Sequence, residues 1–113
     1  MARGRPTKSP IRQNIIEILF YLKKGYGYSI YQIYNEIFTP VHIRSIYYHL
    51  TKGVNTGEIL LDEIKEEKGD FSWGSKVEKI YYTLGPESRV SGNNKVAEYF
   101  RIAKEEMKAD LKR

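Results

Sequence analysis

The amino-acid sequence predicts an α+β domain that is mainly α-helical, with three helices, a two-stranded β-hairpin and one further helix in that order. Three observations support this class. Between residues 9 and 55, apolar residues recur at intervals of three and four, which is the period of an amphipathic helix. After Gly57 the composition shifts to the β-branched and aromatic residues that are typical of strands. After Gly85-Pro86, which ends the second strand, the helical period returns.

The first helix is predicted to begin at Ser9-Pro10, because serine is a good N-cap and proline suits the first helical position. It should end near Lys24-Gly25, where lysine suits the negative end of the helix dipole and glycine suits the cap. Its predicted buried stripe consists of Ile11, Ile15, Ile18, Leu19 and Leu22.

The second helix follows the short connection GYGYS, with Ser29 as its predicted N-cap. Thr39-Pro40 should end it, since the residue before a proline is driven out of the helical conformation. Its predicted buried stripe consists of Ile30, Ile33, Tyr34 and Ile37.

The third helix is predicted to begin at Val41 or His42 and to run to about Asn55. Its helical period gives it two distinct faces. The core stripe consists of Ile43, Ile46, Tyr47, Leu50 and Val54. The opposite face is polar and partly basic, with Ser45, Tyr48 and Lys52 at its centre and Arg44, His49 and Asn55 at its flanks.

Two strands are predicted in EILLDEIKEE and KVEKIYYTL, with the turn-like segment KGDFSWGS between them. A two-stranded hairpin is only marginally stable in water, so this one should pack against the helices.

The last helix is predicted to begin at Asn93 or Asn94. Since a small domain already has its core, the simplest partner for the apolar stripe of this helix is a second copy of the chain. The alternative is packing back on the first helix. The predicted dimerisation residues are Val96, Tyr99, Phe100, Ala103, Met107 and Leu111.

The charge of the chain is unevenly distributed. The 113 residues carry a formal net charge of +5, and this excess lies in residues 1–24, where Glu17 is the only acidic residue. A basic N-terminal segment on an otherwise neutral chain favours a polyanionic partner.

With no cysteine and two histidines, neither a disulfide nor an ordinary metal site is expected, and no cofactor is expected. No apolar run approaches the roughly 20 residues of a membrane span, so we expect a cytoplasmic, nucleoid-associated protein.

Three helices followed by a hairpin is the order of a winged helix-turn-helix, in which the third helix enters the major groove of DNA. Over about residues 11–90 the chain resembles the PadR-like winged-helix transcriptional regulators. GYGYSIYQI resembles the Gly-Tyr-x-Ile segment of that family, SIYYHL resembles its recognition helix, and KIYYTLGPES resembles its tyrosine-rich second wing strand. The resemblance implies a DNA-binding domain, which we place over 9–90. Residues 91–113 lie outside the resemblance and are expected from their own pattern to form a C-terminal dimerisation helix.

Residues 1–8 lack apolar periodicity and are predicted to form a disordered basic arm. Arg3, Gly4, Arg5 and Pro6 resemble the core of an AT-hook, in which an extended arginine pair follows a narrow A·T-rich minor groove. Lys8 adds a further charge for phosphate. The alternative is a solvated basic tail.

The outer face of the third helix carries residue types that contact DNA. Arg44 and Lys52 can reach phosphates or guanine edges, and shorter contacts can come from Ser45, Tyr48 and His49. The alternative is an ordinary solvated face. On the wing, Lys68 and Lys76 are the expected phosphate contacts, although acidic neighbours weaken that surface.

No catalytic constellation is present in the sequence; GYGYS lacks the preceding strand and the lysine of a phosphate-binding loop, so we do not expect an enzyme. We expect a sequence-specific regulator of transcription, acting as a repressor on double-stranded DNA. Two alternatives stay open. One is an architectural protein that coats A·T-rich DNA, and the other is a protein-contact module that uses Phe71, Trp73 and the last helix.

Overall fold

Four helices and a three-stranded antiparallel sheet make up the parts of the chain that the computed structural model describes, residues 10–68 and 76–111. The predicted mainly helical α+β class is therefore confirmed. The elements are α1 (Pro10–Leu22), β1 (Lys24–Tyr26), α2 (Gly27–Ile37), α3 (Ile43–Thr56), β2 (Ile59–Lys68), β3 (Lys76–Leu84) and α4 (Asn94–Leu111).

The sheet has one strand more than the predicted hairpin. β3 lies in the centre, between β2 and the three-residue strand β1. β1 runs antiparallel to β3, with Tyr26 opposite Tyr81, and the Thr83 hydroxyl donates to the Lys23 carbonyl at 2.7 Å. Three residues are too few to show a strand period, which is why the sequence pattern did not indicate β1.

The end of α1 differs from the prediction of a glycine cap at Lys24-Gly25. The helix ends at Leu22, and Lys23 takes the left-handed conformation with φ of 69°. Gly25 is instead buried in β1, where an added Cβ would lie 2.8 Å from Leu22 Cδ1. The close approach of the strand to the helix end, rather than capping, accounts for this glycine.

The start of α2 also differs from the prediction. The helix begins at Gly27, two residues before Ser29, and its N-cap Tyr26 makes no side-chain capping hydrogen bond. The strand β1 delivers the chain directly into the helix, so the extended backbone of Tyr26 takes the place of a serine cap.

The limits of α3 agree with the prediction. His42 is the N-cap and its Nδ1 accepts from the Arg44 backbone N–H at 3.1 Å, while Gly57 closes the helix with φ of 84°. The core stripe is shifted, however, since Tyr47 and Val54 are 42% and 36% exposed. The observed buried positions of α3 are Ile46, Leu50 and Gly53. Because Gly53 has no side chain, Ile59 packs against it and the buried line moves to that side.

The core centres on α1. Five consecutive residues, from Ile15 to Leu19, are buried, so this helix is covered on all sides at its middle. α2, α3, β3 and α4 all contact it. The fully or nearly fully buried apolar residues are Ile15, Ile16, Ile18, Leu19, Ile30, Tyr34, Ile46, Leu50, Ile59, Tyr82 and Val96.

The first half of α4 packs back on the rest of the chain. Asn93 caps it, its Oδ1 accepting from the backbone N–H groups of Lys95 and Val96. Val96 is 0% exposed and belongs to the core of its own chain, so its predicted place among the dimer contacts is wrong. This is the packing that the alternative prediction described. Within the described residues, no helix is both long enough and apolar enough to cross a membrane.

Candidate nucleic-acid interface

Three exposed side chains form a row along the outer side of α3. Arg44, Tyr48 and Lys52 are four residues apart, which places them one above another on the helix surface. We refer to these three residues as the recognition row. On the other side of α3, Ile46 and Leu50 are fully buried, so the helix is fixed against the core while the row faces outward. Ser45 and His49 lie half-buried at its edge.

The recognition row is electrostatically available to a polyanion. α3 contains Arg44 and Lys52 and no acidic residue. Among the described residues, no carboxylate pairs with either cation, whereas carboxylates on the neighbouring strand β2 and just before it are paired with other residues. Glu58 binds Arg12 at 2.8 Å, and Glu63 binds Lys24. Two unpaired cations on one helix face can neutralise phosphates without first breaking an ion pair.

Tyr48 is the most exposed aromatic residue of α3, at 57%. The Lys52 ammonium lies 5.9 Å from its ring centre, and the His49 ring meets it edge-on at 5.0 Å. These contacts hold the ring beside the lysine. The hydroxyl can donate or accept a hydrogen bond, so Tyr48 offers a neutral contact between the two charged residues.

His49 contributes no positive charge to this face near neutral pH. Its burial, together with the positive charge of Arg12, lowers the pKa of its imidazole below the ordinary value of 6.5. Its Nδ1 is buried and has no hydrogen-bond partner in the part of the chain that the structure describes. His49, one of the five residues predicted to contact DNA from this helix, is therefore neutral and partly buried.

Tyr47 links the recognition helix to the start of α2, a role that the sequence pattern did not indicate. Its ring covers Gly27, where an added Cβ would overlap the ring atoms. Burial, with a smaller effect from Tyr26, raises the pKa of the Tyr47 hydroxyl. Gly27, the second glycine in GYGYS, is therefore needed for a close approach between α2 and α3. The sequence offered no signal for this contact, because Gly27 lies in the segment that was predicted to be the connection before α2.

The first turn of α1 lies beside the C-terminal end of α3. Arg3, Gly4, Arg5, Pro6 and Lys8 lie outside the described residues. The first helix begins at Pro10, and Arg12 in its first turn places Nε 2.8 Å from Glu58 Oε1, just after α3. Thr56 Oγ1 donates to the same carboxylate oxygen at 2.8 Å. Arg12 belongs to the basic N-terminal segment, but it is paired within the chain.

The two predicted wing lysines lie opposite each other. Lys68 and Lys76 form the last described pair of the β2–β3 hairpin, and Phe71 and Trp73 lie in the undescribed segment between them.

A second surface lies between α1 and the outer half of α4. It is a groove of about 580 Å³, lined by Tyr21, Ala97, Phe100, Arg101, Ala103, Lys104 and Met107. We refer to it as the α1–α4 groove. The Tyr21 and Phe100 rings stack at its base, with centres 5.2 Å apart, whereas Met107 at its outer end is 65% exposed. Of the predicted dimerisation residues, Phe100, Ala103 and Met107 therefore line one groove. The Leu111 side chain lies outside the described part of the chain.

Tyr99 lies on the neighbouring side of α4 and binds α2. Its hydroxyl donates to Glu36 Oε1 at 2.6 Å, and this hydrogen bond, with burial, raises the pKa of Tyr99 to about 12. Within the described residues there is no cluster of three side chains able to hold a metal ion.

Comparison with known proteins gives similar solved structures only. No family model matches the chain. No curated protein matches it either. A PadR family transcription regulator from Clostridium difficile R20291 is 22% identical, over 92% of this chain and 93% of that one, with a TM-score of 0.49. Bacillus subtilis PadR in complex with operator DNA is 21% identical, over 80% and 58%, with a TM-score of 0.44. A transcriptional regulator from Clostridium thermocellum is 20% identical, over 94% and 93%, with a TM-score of 0.40. At these values the similarities assign no function to this chain.

Proposed function

We propose that this chain is a PadR-like winged-helix regulator of transcription that binds double-stranded DNA at specific sequences and acts as a repressor. The observation that carries the proposal is the recognition row of Arg44, Tyr48 and Lys52, exposed and unpaired on a helix whose other side is fixed by Ile46 and Leu50. A helix of this kind, third in order and followed by a hairpin, suits the major groove.

In the proposed complex, α3 lies in the major groove. Arg44 and Lys52 bind phosphates or the acceptor edge of guanine, and Tyr48 with Ser45 makes shorter contacts to bases or to the backbone. His49 is neutral, and we assign it a hydrogen-bonding role at the rim of the contact. Lys68 and Lys76 of the hairpin bind the backbone beside the groove.

The arm adds a second contact in the minor groove. Arg3-Gly4-Arg5-Pro6 follows the floor of an A·T-rich flank, with Lys8 on the adjacent phosphates. The junction of α1 with the end of α3, through Arg12 and Glu58, supports this role because the arm then starts at the side of the DNA-binding helix. Nine residues of extended chain reach at most about 30 Å, enough to pass from one groove to the next.

We propose further that the protein acts as a homodimer joined through the α1–α4 groove and the outer half of α4. The exposed apolar side chains Tyr21, Ile102 and Met107 support this, since a monomer in water leaves them uncovered. The groove is also lined by Arg101 and Lys104, and Arg101 is paired with Glu105 at 2.9 Å, so Lys104 can accept an acidic partner from the second copy. Such a dimer places two α3 helices about 34 Å apart, on successive turns of one face of the duplex. A dimer seated in this way occludes the DNA it covers, which is the basis of the repressor role.

The direct test is selection of bound fragments from random duplex DNA, followed by fluorescence-anisotropy titration of the best fragment at two ionic strengths. The proposal expects enrichment of a two-part site and an affinity that falls steeply with salt. Binding to all fragments alike would favour the architectural alternative. Absence of salt-sensitive binding to any duplex would contradict the proposal and favour the protein-contact alternative.

A further inference from the structure

The centre of α1 contains a buried carboxylate whose hydrogen bonds go almost entirely to one other segment. Glu17 is 1% exposed. It accepts from the backbone N–H groups of Ser91, Gly92 and Asn93 at 2.7, 3.1 and 3.2 Å, and from the Ser91 hydroxyl at 2.9 Å. Gln13, one turn away on α1, donates the fifth bond at 2.8 Å. Four of the five bonds therefore tie α1 to the three residues that precede α4.

The geometry of these three residues is built around the carboxylate. Gly92 has a φ of 88°, a conformation that suits glycine and turns successive N–H groups toward one point. The negative charge also lies at the beginning of α4, where the helix dipole favours it. Burial of a carboxylate is costly unless it is fully hydrogen-bonded, so Glu17 and the segment 91–93 stabilise each other's positions.

Three further contacts hold the first half of α4. Val96 is buried in the core, Phe100 stacks on Tyr21 of α1, and Tyr99 binds Glu36 of α2 at 2.6 Å. Beyond Phe100, residues 101–108 of α4 are exposed. α4 therefore leaves the domain in a direction set at its base.

We propose that Glu17 is a positioning residue for DNA recognition: by fixing the direction of α4, it sets the spacing between the two α3 helices of the dimer and thus the half-site spacing that the protein accepts. This inference rests on the proposed dimer and on its binding to DNA. α4 has 18 residues and is about 27 Å long. A tilt of about 10° at its base moves its outer end by about 5 Å, which exceeds the roughly 3.4 Å rise of one base pair.

The first experiment measures the spacing of the α3 helices without DNA. The chain has no cysteine, and Thr51 is exposed on α3, so Thr51→Cys introduces one spin label per protomer. Pulsed dipolar spectroscopy of the labelled dimer should give one narrow distance. Addition of Glu17→Gln should shift that distance or widen its distribution roughly twofold. The direction of α4 is held within about 10–20° only while the groups at its base, Glu17 among them, support it.

The second experiment measures the spacing of half-sites. The selected half-site is placed in inverted repeats whose spacer increases by one base pair at a time, and the affinity is measured for each. Wild type should prefer one spacing, and Glu17→Gln should flatten or shift that preference. Glu63→Gln is the matched control, because it removes a carboxylate that binds Lys24 on the sheet, away from α4. It should change the affinity equally at all spacings.

Ser91→Ala keeps the test decisive if Glu17→Gln does not fold. It removes the hydroxyl donor alone and leaves the three backbone donors, so a smaller change in the same direction is expected. An unchanged distance distribution and an unchanged spacing preference in a folded, dimeric variant would overturn the inference and leave the proposed function intact. Absence of any dipolar coupling in the labelled wild type would remove the dimer, and this inference with it.

Discussion

The ring of Tyr47 on α3 lies against Gly27 in the first turn of α2, so closely that a Cβ atom at position 27 would overlap the ring. This contact fixes the angle between the two helices of the helix-turn-helix. It also explains why Tyr47 is partly exposed although it lies on the inner side of the helix, because it covers a glycine rather than filling the core.

We therefore expect Gly27→Ala to destabilise the protein by about 1–3 kcal/mol through overpacking, and to weaken DNA binding by moving α3. Denaturant unfolding of purified protein measures the first effect. The same substitution in a Tyr47→Ala background should cost much less, since the ring that it meets is gone. Equal costs in the two backgrounds would contradict the contact.

The buried carboxylate of Glu17 predicts that the folded protein loses part of its stability at acid pH. Burial by itself raises its pKa, but the hydrogen bonds from Ser91, Gln13 and Gly92 outweigh burial and hold the pKa below the ordinary value of 4.5. A pKa lowered by folding contributes stability that is fully present above the unfolded value and is lost as the pH falls through the folded one.

Glu17→Gln should accordingly lower the free energy of unfolding by roughly 1–3 kcal/mol at pH 7, because it loses charge-assisted hydrogen bonds. The difference between wild type and variant should shrink as the pH falls below 4.5. Urea unfolding at a series of pH values checks this. A difference that stays constant with pH would show that the loss is one of packing and not of charge.

Two substitutions on α4 separate its inner and outer halves. Val96→Ala should lower the stability of the folded chain by about 2 kcal/mol, since it deletes buried methyl groups.

Met107→Ser changes a side chain that is 65% exposed, so it should leave the stability of the monomer almost unchanged and weaken dimerisation. Sedimentation at several concentrations measures the second effect. A wild type that sediments as a monomer at micromolar concentration would contradict the proposed dimer.

The proposed role of the arm predicts a loss of DNA affinity that depends on the DNA sequence. Arg3→Ala combined with Arg5→Ala should weaken binding mainly to sites with A·T-rich flanks, because the arginine pair favours a narrow minor groove. Gel-shift titration on matched duplexes with A·T-rich and G·C-rich flanks checks it. An equal loss on both duplexes would assign the arm to phosphates alone, and unchanged affinity with unchanged salt dependence would remove it from the interface.

The helices and the hairpin were predictable because their signals are local. The period of Ile15, Ile18 and Leu19 marks α1 whatever surrounds it, and Asn93 caps α4 as its residue type predicts. The features that the sequence missed depend on contacts between distant residues. β1 forms because β3 offers it a partner more than 50 residues later, and Gly53 shifts the buried side of α3 because Ile59 packs there.

The candidate site also has a part that was predictable from local sequence, whereas the Glu17 contacts were not. The exposure of Arg44, Tyr48 and Lys52 follows from helical spacing and was predictable. The burial of Glu17 was not, because an acidic residue on an amphipathic helix is ordinarily solvated. Its partners at Ser91, Gly92 and Asn93 lie 74 or more residues away, and no local pattern connects them.

Binding of duplex DNA by α3 through its recognition row can be measured in the salt dependence of binding to the selected duplex. Lys52→Ala is compared with Lys95→Ala, which removes another exposed lysine, one that lies on α4. We expect Lys52→Ala to lower the affinity and to reduce the slope of log K against log salt concentration by about 0.9, the value for one lost phosphate contact, with Lys95→Ala unchanged. Identical affinities and slopes for the two variants would contradict binding through the recognition row.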